Sequence, residues 1–422
     1  MILIRPSVIS GSITAPPSKS YSHRALTISL ISERDSKISN LSRGRDVNAT
    51  LRVIRSMGAE LSGEADVRIS PPPRPKVPED VLDCGGSGTT IRFFTSIASL
   101  TERGYTVLTG NDSLRRRPMG PLLDAINELG GWAVSTRMDG TPPLVVRGGG
   151  LRGGNVVLPG DISSQFFSSL MISGTLMDEG VHIETLGDIV SWPYVEMTAV
   201  TLGLAGVSVQ YNRKSIKIRP VRPQGLDFVV PGDFGLAAPI MAMASITGGE
   251  VEVKGLDLDL PQADSYIIDV LEAFGVNISL GKSSITVKGR PERPVNLNLR
   301  DAPDLLPVAA VLASFVKGRS EIKGVKHARV KESDRVAIMA RELRKVGVDV
   351  IELEDGLIIN GSGEVLGGKV LDPEKDHRIF MSLVALAAGS KESCGITNEE
   401  WVRDSYPDFL NVVPALGLEV RY

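Results

Sequence analysis

The chain has 422 residues, 42% hydrophobic and 23% charged, and carries a formal net charge of −3. This length exceeds one ordinary core and suits two domains, and the composition is that of a soluble globular protein. With no basic excess and only 5% aromatic residues, the chain has little with which to hold nucleic-acid phosphates or stack bases, so no nucleic-acid partner is expected.

The two cysteines, Cys84 and Cys394, lie far apart without CxxC spacing, and His23, His182, His327 and His377 are scattered. No metal site or cofactor is expected from such a set. The N-terminal Met1 to Pro6 is too short for a signal-peptide apolar region. The longest apolar stretch, near Leu305 to Val316, falls short of the roughly 20 residues that span a bilayer. A cytoplasmic protein with no membrane partner is the expectation.

In chain order, a short strand from Leu3 to Ile9 comes first, and then two patterns alternate. In one, small or polar residues open a strongly apolar helical run. Its copies are Pro17-Ser18-Lys19-Ser20, Gly85-Gly86-Ser87-Gly88-Thr89, Gly160-Asp161-Ile162-Ser163-Ser164, Gly232-Asp233-Phe234-Gly235, Ala302-Pro303-Asp304 and Lys375-Asp376-His377-Arg378. Runs such as Phe166 to Ile172 and Leu236 to Ile246 are apolar on nearly every face, which predicts helices buried in the centre of a domain.

In the other pattern an amphipathic helix stops at glycine: Gly58, Gly130, Gly206, Gly275, Gly347 and Gly417, separated by 72, 76, 69, 72 and 70 residues. Glycine past the last turn adopts the left-handed conformation that caps a helix. Each unit of about 70 residues thus holds a buried helix, an exposed helix and strands such as Val251 to Val253 and Ser284 to Val287. One unit cannot bury its own apolar helix, so units must pack together. Six units suggest three per domain, with the break near Phe228 to Gly232 and the N-terminal strand pairing with the last unit.

Helix N-termini present unpaired N–H groups and the positive end of the dipole. If the buried helices of a domain run parallel, their starts share one face, and two such faces opposed form a deep anion site. Lys19, Arg24 and Arg92 in the first half, and Arg335 and Arg378 in the second, belong at those faces. The overall acidity points to a small polyanion as ligand.

Taken singly, each segment has an ordinary explanation. Pro17 to Arg24 could be a serine-capped helix, Gly85 to Thr90 a turn, and Arg115-Arg116-Arg117-Pro118 a solvated loop. Ser163-Ser164-Gln165 could be a simple cap, Asp304 a dipole partner, and Lys331-Glu332-Ser333-Asp334-Arg335 a set of surface ion pairs. Arg378, beside the apolar run Ile379 to Ala388, needs an anionic partner.

Together these segments resemble the 3-phosphoshikimate 1-carboxyvinyltransferase (EPSP synthase) family over essentially the whole chain. The motifs that carry the resemblance are Pro17-Ser18-Lys19-Ser20 with Arg24, Gly88-Thr89 with Arg92, Arg117-Pro118, Ser163-Ser164-Gln165, Pro303-Asp304, Lys331 to Arg335, and Asp376-His377-Arg378. The resemblance implies an α/β, two-domain enolpyruvyl transferase fold, each domain having three βαβαββ-like repeats around buried parallel helices. One domain would span 14–229, and the other 1–13 plus 230–422. A monomer is the family expectation.

The resemblance also implies roles. Shikimate 3-phosphate would contact Lys19, Ser20, Arg24, Ser163, Ser164, Gln165, Ser191, Asp304 and Lys331, with Tyr194 packing on it. Phosphoenolpyruvate would contact Lys19, Gly88, Arg117, Gln165, Arg335 and Arg378. Asp304 would act as base, with Lys19 and Glu332 competing for the acid role. Two positions depart from the family pattern. Asp404, with Arg403 beside it, stands before Ser405-Tyr406-Pro407-Asp408 where members often carry Lys, and His327 stands where many carry Asn. The related UDP-N-acetylglucosamine enolpyruvyl transferases typically place a reactive cysteine near Arg117; the segment Asn111 to Arg117 has none. A non-catalytic anion-binding scaffold is the other alternative, and Asp304 and Glu332 among cations argue against it.

Overall fold

The computed structural model of the chain describes residues 1–64 and 66–422. It divides into two compact units, one comprising Met1–Pro16 with Gly232–Tyr422 and the other Pro17–Pro231. The chain therefore passes between units twice, at 16–17 and at 231–232. Each is described by itself below.

The Pro17–Pro231 unit holds α1 (Lys19–Ile31), α2 (Arg45–Ser56), α3 (Gly88–Ala98), α4 (Gly120–Glu128), α5 (Ser164–Gly174) and α6 (Pro193–Leu204). Nearly every residue of α1, α3 and α5 is buried, whereas α2 and α4 bury one face. The Gly232–Tyr422 segment repeats the alternation with α7 (Phe234–Thr247), α8 (Ile267–Ala273), α9 (Leu306–Ser314), α10 (Arg335–Lys345), α11 (His377–Gly389) and α12 (Phe409–Ala415). All residues of α7 and α9 are buried, as expected of helices apolar all round.

The buried helices of each unit run side by side in one direction. Between α3 and α5, Gln165 Nε2 donates to Thr89 Oγ1 at 2.9 Å near the starts, and Ser96 and Ser169 hydroxyls meet at 2.6 Å a turn or two later. In the other unit a methyl group built at Gly235 would meet Arg378, tying the starts of α7 and α11. One built at Gly389 would meet Ile246 and Phe315, tying their ends to that of α9.

Among the described residues there are six four-stranded sheets. Each has one parallel pair at an edge followed by two antiparallel pairings. In one, Leu82–Asp83 pairs in parallel with Tyr105–Thr109, which pairs antiparallel with Leu144–Arg147, and that with Trp132–Ser135. Two sheets take in the N-terminal segment. Ile2–Ile4 pairs antiparallel with both Cys394–Ile396 and Val420–Arg421 of the last repeat, and Gly11–Thr14 pairs in parallel with Glu250–Lys254 of the fourth. The single strand expected from Leu3 to Ile9 is thus two shorter ones. Pro6 lies between them and lacks the N–H that a ladder needs.

The six period glycines sit just past α2, α4, α6, α8, α10 and α12. All are left-handed, with φ of 101°, 88°, 81°, 89°, 87° and 105°. A side chain at any of them would be strained. Five of the six buried helices open with a side-chain cap: Ser18, Ser87, Ser163, Asp233 and Asp376 each accept from a backbone N–H of the first turn. The fifth repeat differs: Pro303–Leu305 forms a 3₁₀ turn carrying Asp304 ahead of α9.

Candidate active site

In the Pro17–Pro231 unit the site residues gather at the starts of the buried helices. Lys19 opens α1, and its Nζ lies 3.1 Å from Asp46 Oδ2, on the first turn of α2. Asp46 is one residue that sequence reasoning missed, since nothing in the pattern ties it to a lysine 27 positions away. Gly88 opens α3, and a Cβ there would stand 2.7 Å from Arg117 Nη1 and 3.1 Å from Arg92 Nη1. The glycine therefore lets two guanidinium groups close on the helix N-terminus, where N–H groups and the dipole favour an anion. Arg92 donates to Gln165 Oε1 at 2.7 Å, and Arg117 donates to Ser113 at 3.3 Å. Both arginines are buried.

Arg24, one turn into α1, is 2% exposed. It donates from Nε to Thr198 Oγ1 at 2.8 Å and from Nη1 to the Ser20 carbonyl at 3.0 Å. From Nη2 it donates to the Tyr194 carbonyl at 2.9 Å and to Ser168 Oγ at 3.3 Å. It also lies over the Phe93 and Tyr194 rings. Burial among neutral acceptors brings its pKa down to about 10, so it stays charged at neutral pH. Ser163 caps α5 and Ser164 is its first residue, both at the same end as Gln165. Ser191 is buried and left-handed at φ 55°, immediately before α6; a non-glycine residue there stores about 1–3 kcal/mol of strain, a feature that clusters at functional sites. Buried His23 is neutral, its pKa held well below the usual value by burial and then by Lys19 and Arg24.

In the other unit the centre is Arg335, the first residue of α10 and 1% exposed. Its Nε donates to Asp376 Oδ2 at 2.8 Å, Nη1 to Asp304 Oδ1 at 2.5 Å and Nη2 to Glu332 Oε2 at 2.8 Å. Three carboxylates, two from the fifth repeat and one from the sixth, thus share one fork of donors. Asp304 also meets Arg378 Nη2 at 3.1 Å and Lys331 Nζ at 3.9 Å. Burial alone would raise the Asp304 pKa, but Arg378, Arg335 and Lys331 together hold it well below the usual carboxylate range. Arg335 is driven the other way: its acids outweigh burial and raise its pKa.

Asp376 caps α11 through the N–H groups of Arg378 and Ile379 and also accepts from Ser333. Its motif is visible in the sequence, but its position as a partner of Arg335 is not. Asp264, a second residue without a sequence signal, lies 3.3 Å from Arg378 Nη1. His327 is buried, and burial followed by Lys331 takes its pKa down to about 3, so it is neutral. Arg403 is exposed and forms no hydrogen bond or ion pair among the described residues, while Ser405, two positions on, meets His377 Nε2 at 3.0 Å. Among the described residues no cluster suits a metal ion, and no helix is long and apolar enough to cross a membrane.

Two units of three like repeats, with cations gathered at parallel helix starts in one and carboxylates interlocked with cations in the other, define the enolpyruvyl transferase class. Two solved structures carry the same architecture. EPSP synthase from Acinetobacter baumannii matches with a TM-score of 0.81 at 28% identity, covering 100% of this chain and 99% of that one. The enolpyruvyl transferase NikO from Streptomyces tendae matches with a TM-score of 0.78 at 14% identity, covering 100% and 98%, a likeness of fold alone. The model of the EPSP synthase (3-phosphoshikimate 1-carboxyvinyltransferase) family matches residues 4–413. The 3-phosphoshikimate 1-carboxyvinyltransferase of Korarchaeum cryptofilum is 59% identical over the full length of both chains. That of Methanothermobacter thermautotrophicus is 42% identical over 98% of this chain and 97% of its own. The chain belongs to the EPSP synthase family.

Proposed function

We propose that the chain transfers the carboxyvinyl group of phosphoenolpyruvate to the 5-hydroxyl of shikimate 3-phosphate, releasing phosphate, in the chorismate branch of aromatic amino acid synthesis. The observation that carries this is Asp304, a carboxylate whose side chain is 14% exposed and lies in contact with Arg335, Arg378 and Lys331. A binding scaffold for anions has no use for an acid at the heart of its cations.

Lys19, Ser20, Arg24, Ser163, Ser164, Gln165, Ser191, Tyr194, Asp304 and Lys331 bind shikimate 3-phosphate in this reading. Lys19, Gly88, Arg117, Gln165, Arg335 and Arg378 bind phosphoenolpyruvate. The 5-hydroxyl oxygen attacks C2 while its proton goes to Asp304, and C3 takes a proton from Lys19 or Glu332. The resulting tetrahedral adduct loses the C3 proton as its C–O bond to phosphate breaks. Fixed cations stabilise charge on the phosphate and carboxylate throughout.

Held as it is by three cations, Asp304 is a weak base. Phosphoenolpyruvate drawing Arg378 toward itself would raise the Asp304 pKa and match it to its task. A cytoplasmic monomer completes the proposal. Phosphate release from phosphoenolpyruvate, measured with and without shikimate 3-phosphate, tests it: release should require both. Release with UDP-N-acetylglucosamine instead, or none with either acceptor, would overturn it.

A further inference from the structure

We propose that Asp264 is a positioning residue for phosphoenolpyruvate: ionised, it holds Arg378 back, and protonated, it releases the guanidinium to the substrate's anionic group. This rests on the reading of Arg378 as a phosphoenolpyruvate ligand.

Asp264 lies in the 3₁₀ turn Ala263–Tyr266 that leads into α8, and it is 4% exposed. Its Oδ2 is 3.3 Å from Arg378 Nη1, while its Oδ1 has no hydrogen-bond partner among the described residues. An acid buried with one oxygen unanswered is costly to keep ionised. The neighbouring helix is shaped around the pair. At Gly235, on the first turn of α7, an added Cβ would overlap Asp264 Oδ2 and stand 2.5 Å from Arg378 Nη1. Glycine at that position is thus a requirement of the contact between the two side chains.

Arg378 is shared. Nη1 faces Asp264 and Nη2 faces Asp304. The two acids are not equivalent, because Asp304 has Arg335 and Lys331 as well, whereas the one ion pair shown for Asp264 is with Arg378. When an anion takes up Arg378, Asp304 keeps two cations and Asp264 loses its close one. Asp264 is therefore the group that takes a proton as substrate binds.

The surroundings agree. Burial pushes the Asp264 carboxyl up, Arg378 opposes this, Asp304 on the turn before α9 and Asp233 at the cap of α7 add to it, and Lys331 opposes it weakly; the result is about 7. Below that pH Asp264 is neutral and Arg378 is available. Above it the carboxylate both retains Arg378 and repels the incoming anion. Apparent affinity falls with the fraction of enzyme in the competent state, so KM for phosphoenolpyruvate should rise up to about tenfold between pH 6 and pH 8.

The test is KM for each substrate, and kcat, across that range in the wild type, Asp264→Asn, Asp264→Glu and Arg378→Gln. Ionisation of the substrate itself is common to all four and cancels in the comparison. Asp264→Asn should abolish the excess rise in phosphoenolpyruvate KM and hold it near its low-pH value, leaving KM for shikimate 3-phosphate unchanged. Asp264→Glu should keep a pH-dependent KM. A phosphoenolpyruvate KM in Asp264→Asn that tracks the wild type, or is raised equally at every pH, overturns the proposal. An Arg378→Gln enzyme with unchanged phosphoenolpyruvate KM instead removes Arg378 from the substrate, a separate failure of the underlying reading. The wild type gives a measurement that does not depend on how any variant folds. Calorimetry in buffers of different ionisation enthalpy should show net proton uptake as phosphoenolpyruvate binds at pH 7.5, and no uptake overturns the proposal.

Discussion

The two units solve the same problem, holding cations at buried helix starts, in opposite ways. In Pro17–Pro231 the caps are the neutral Ser18, Ser87 and Ser163. Arg24, Arg92 and Arg117 meet hydroxyl, carbonyl and amide oxygens, while Lys19 meets an acid, Asp46. In Gly232–Tyr422 two caps are the acids Asp233 and Asp376. There Lys331, Arg335 and Arg378 are interlocked with Asp264, Asp304, Glu332 and Asp376. A cluster of cations solvated by neutral dipoles keeps its positive potential for a ligand. Cations matched to acids leave little net potential but produce carboxyls with displaced pKa values, the material of proton transfer. In the proposed reading both units bind substrate, and the second holds most of the groups that handle protons.

Four substitutions sharpen or break that contrast. Asp304→Asn should have the largest effect, lowering kcat on the order of 10²–10⁴-fold as expected for a lost general base while phosphoenolpyruvate still binds. Steady-state kinetics with ligand titration checks this, and near wild-type turnover would take proton transfer away from Asp304.

Arg335→Ala acts on stability. It leaves Asp304, Glu332 and Asp376 together without their common partner, which should destabilise the protein by about 3–5 kcal/mol in urea unfolding. The pH dependence has a definite sign. In the wild type the folded pKa of Asp304 is depressed, so its contribution is full above the ordinary carboxylate range and is lost as pH falls through the folded value. In the variant the stranded carboxylates repel one another, so its deficit should be greatest at neutral pH and shrink as they protonate. A deficit constant with pH would mean that Arg335 matters for packing alone.

Arg117→Ala, in the unit of neutral partners, should spare the fold and raise KM for phosphoenolpyruvate. A charge-assisted hydrogen bond contributes about 1.5–3 kcal/mol, roughly ten- to a hundredfold in affinity. An equal rise for shikimate 3-phosphate would show that the two substrates are wrongly divided among these cations.

The smallest effect should be that of Gly88→Ala. The new methyl would meet only the far ends of Arg117 and Arg92, which can move. A few-fold rise in phosphoenolpyruvate KM with unchanged unfolding is expected; an unaltered KM would place the ligand elsewhere than against Gly88.

The site was unevenly legible. Lys19, Gly88, Arg117, Gln165, Asp304, Glu332, Arg335 and Arg378 stand in the motifs that carry the family resemblance, which is what singles them out as expected site residues. Asp46 and Asp264 could not be found that way, because an isolated aspartate on an amphipathic helix or in a short turn has many ordinary explanations. Asp376 announced itself as a helix cap and hid its second role. Arg24 was legible as a cation but not as one already held by Ser20, Ser168, Tyr194 and Thr198.

Periodicity by itself determined the repeat, the six left-handed glycines, the buried and exposed helices and the positions of the helix starts. These depend on local geometry: which face is apolar, where a chain needs positive φ, and where the first turn needs a cap. Tertiary structure alone decided which acid answers which cation. The pairs Lys19–Asp46, Arg335–Asp304 and Arg335–Asp376 join residues 27, 31 and 41 positions apart. Their strength depends on side chains from different elements coming within about 3 Å in a dry interior, a distance that no spacing along the chain encodes.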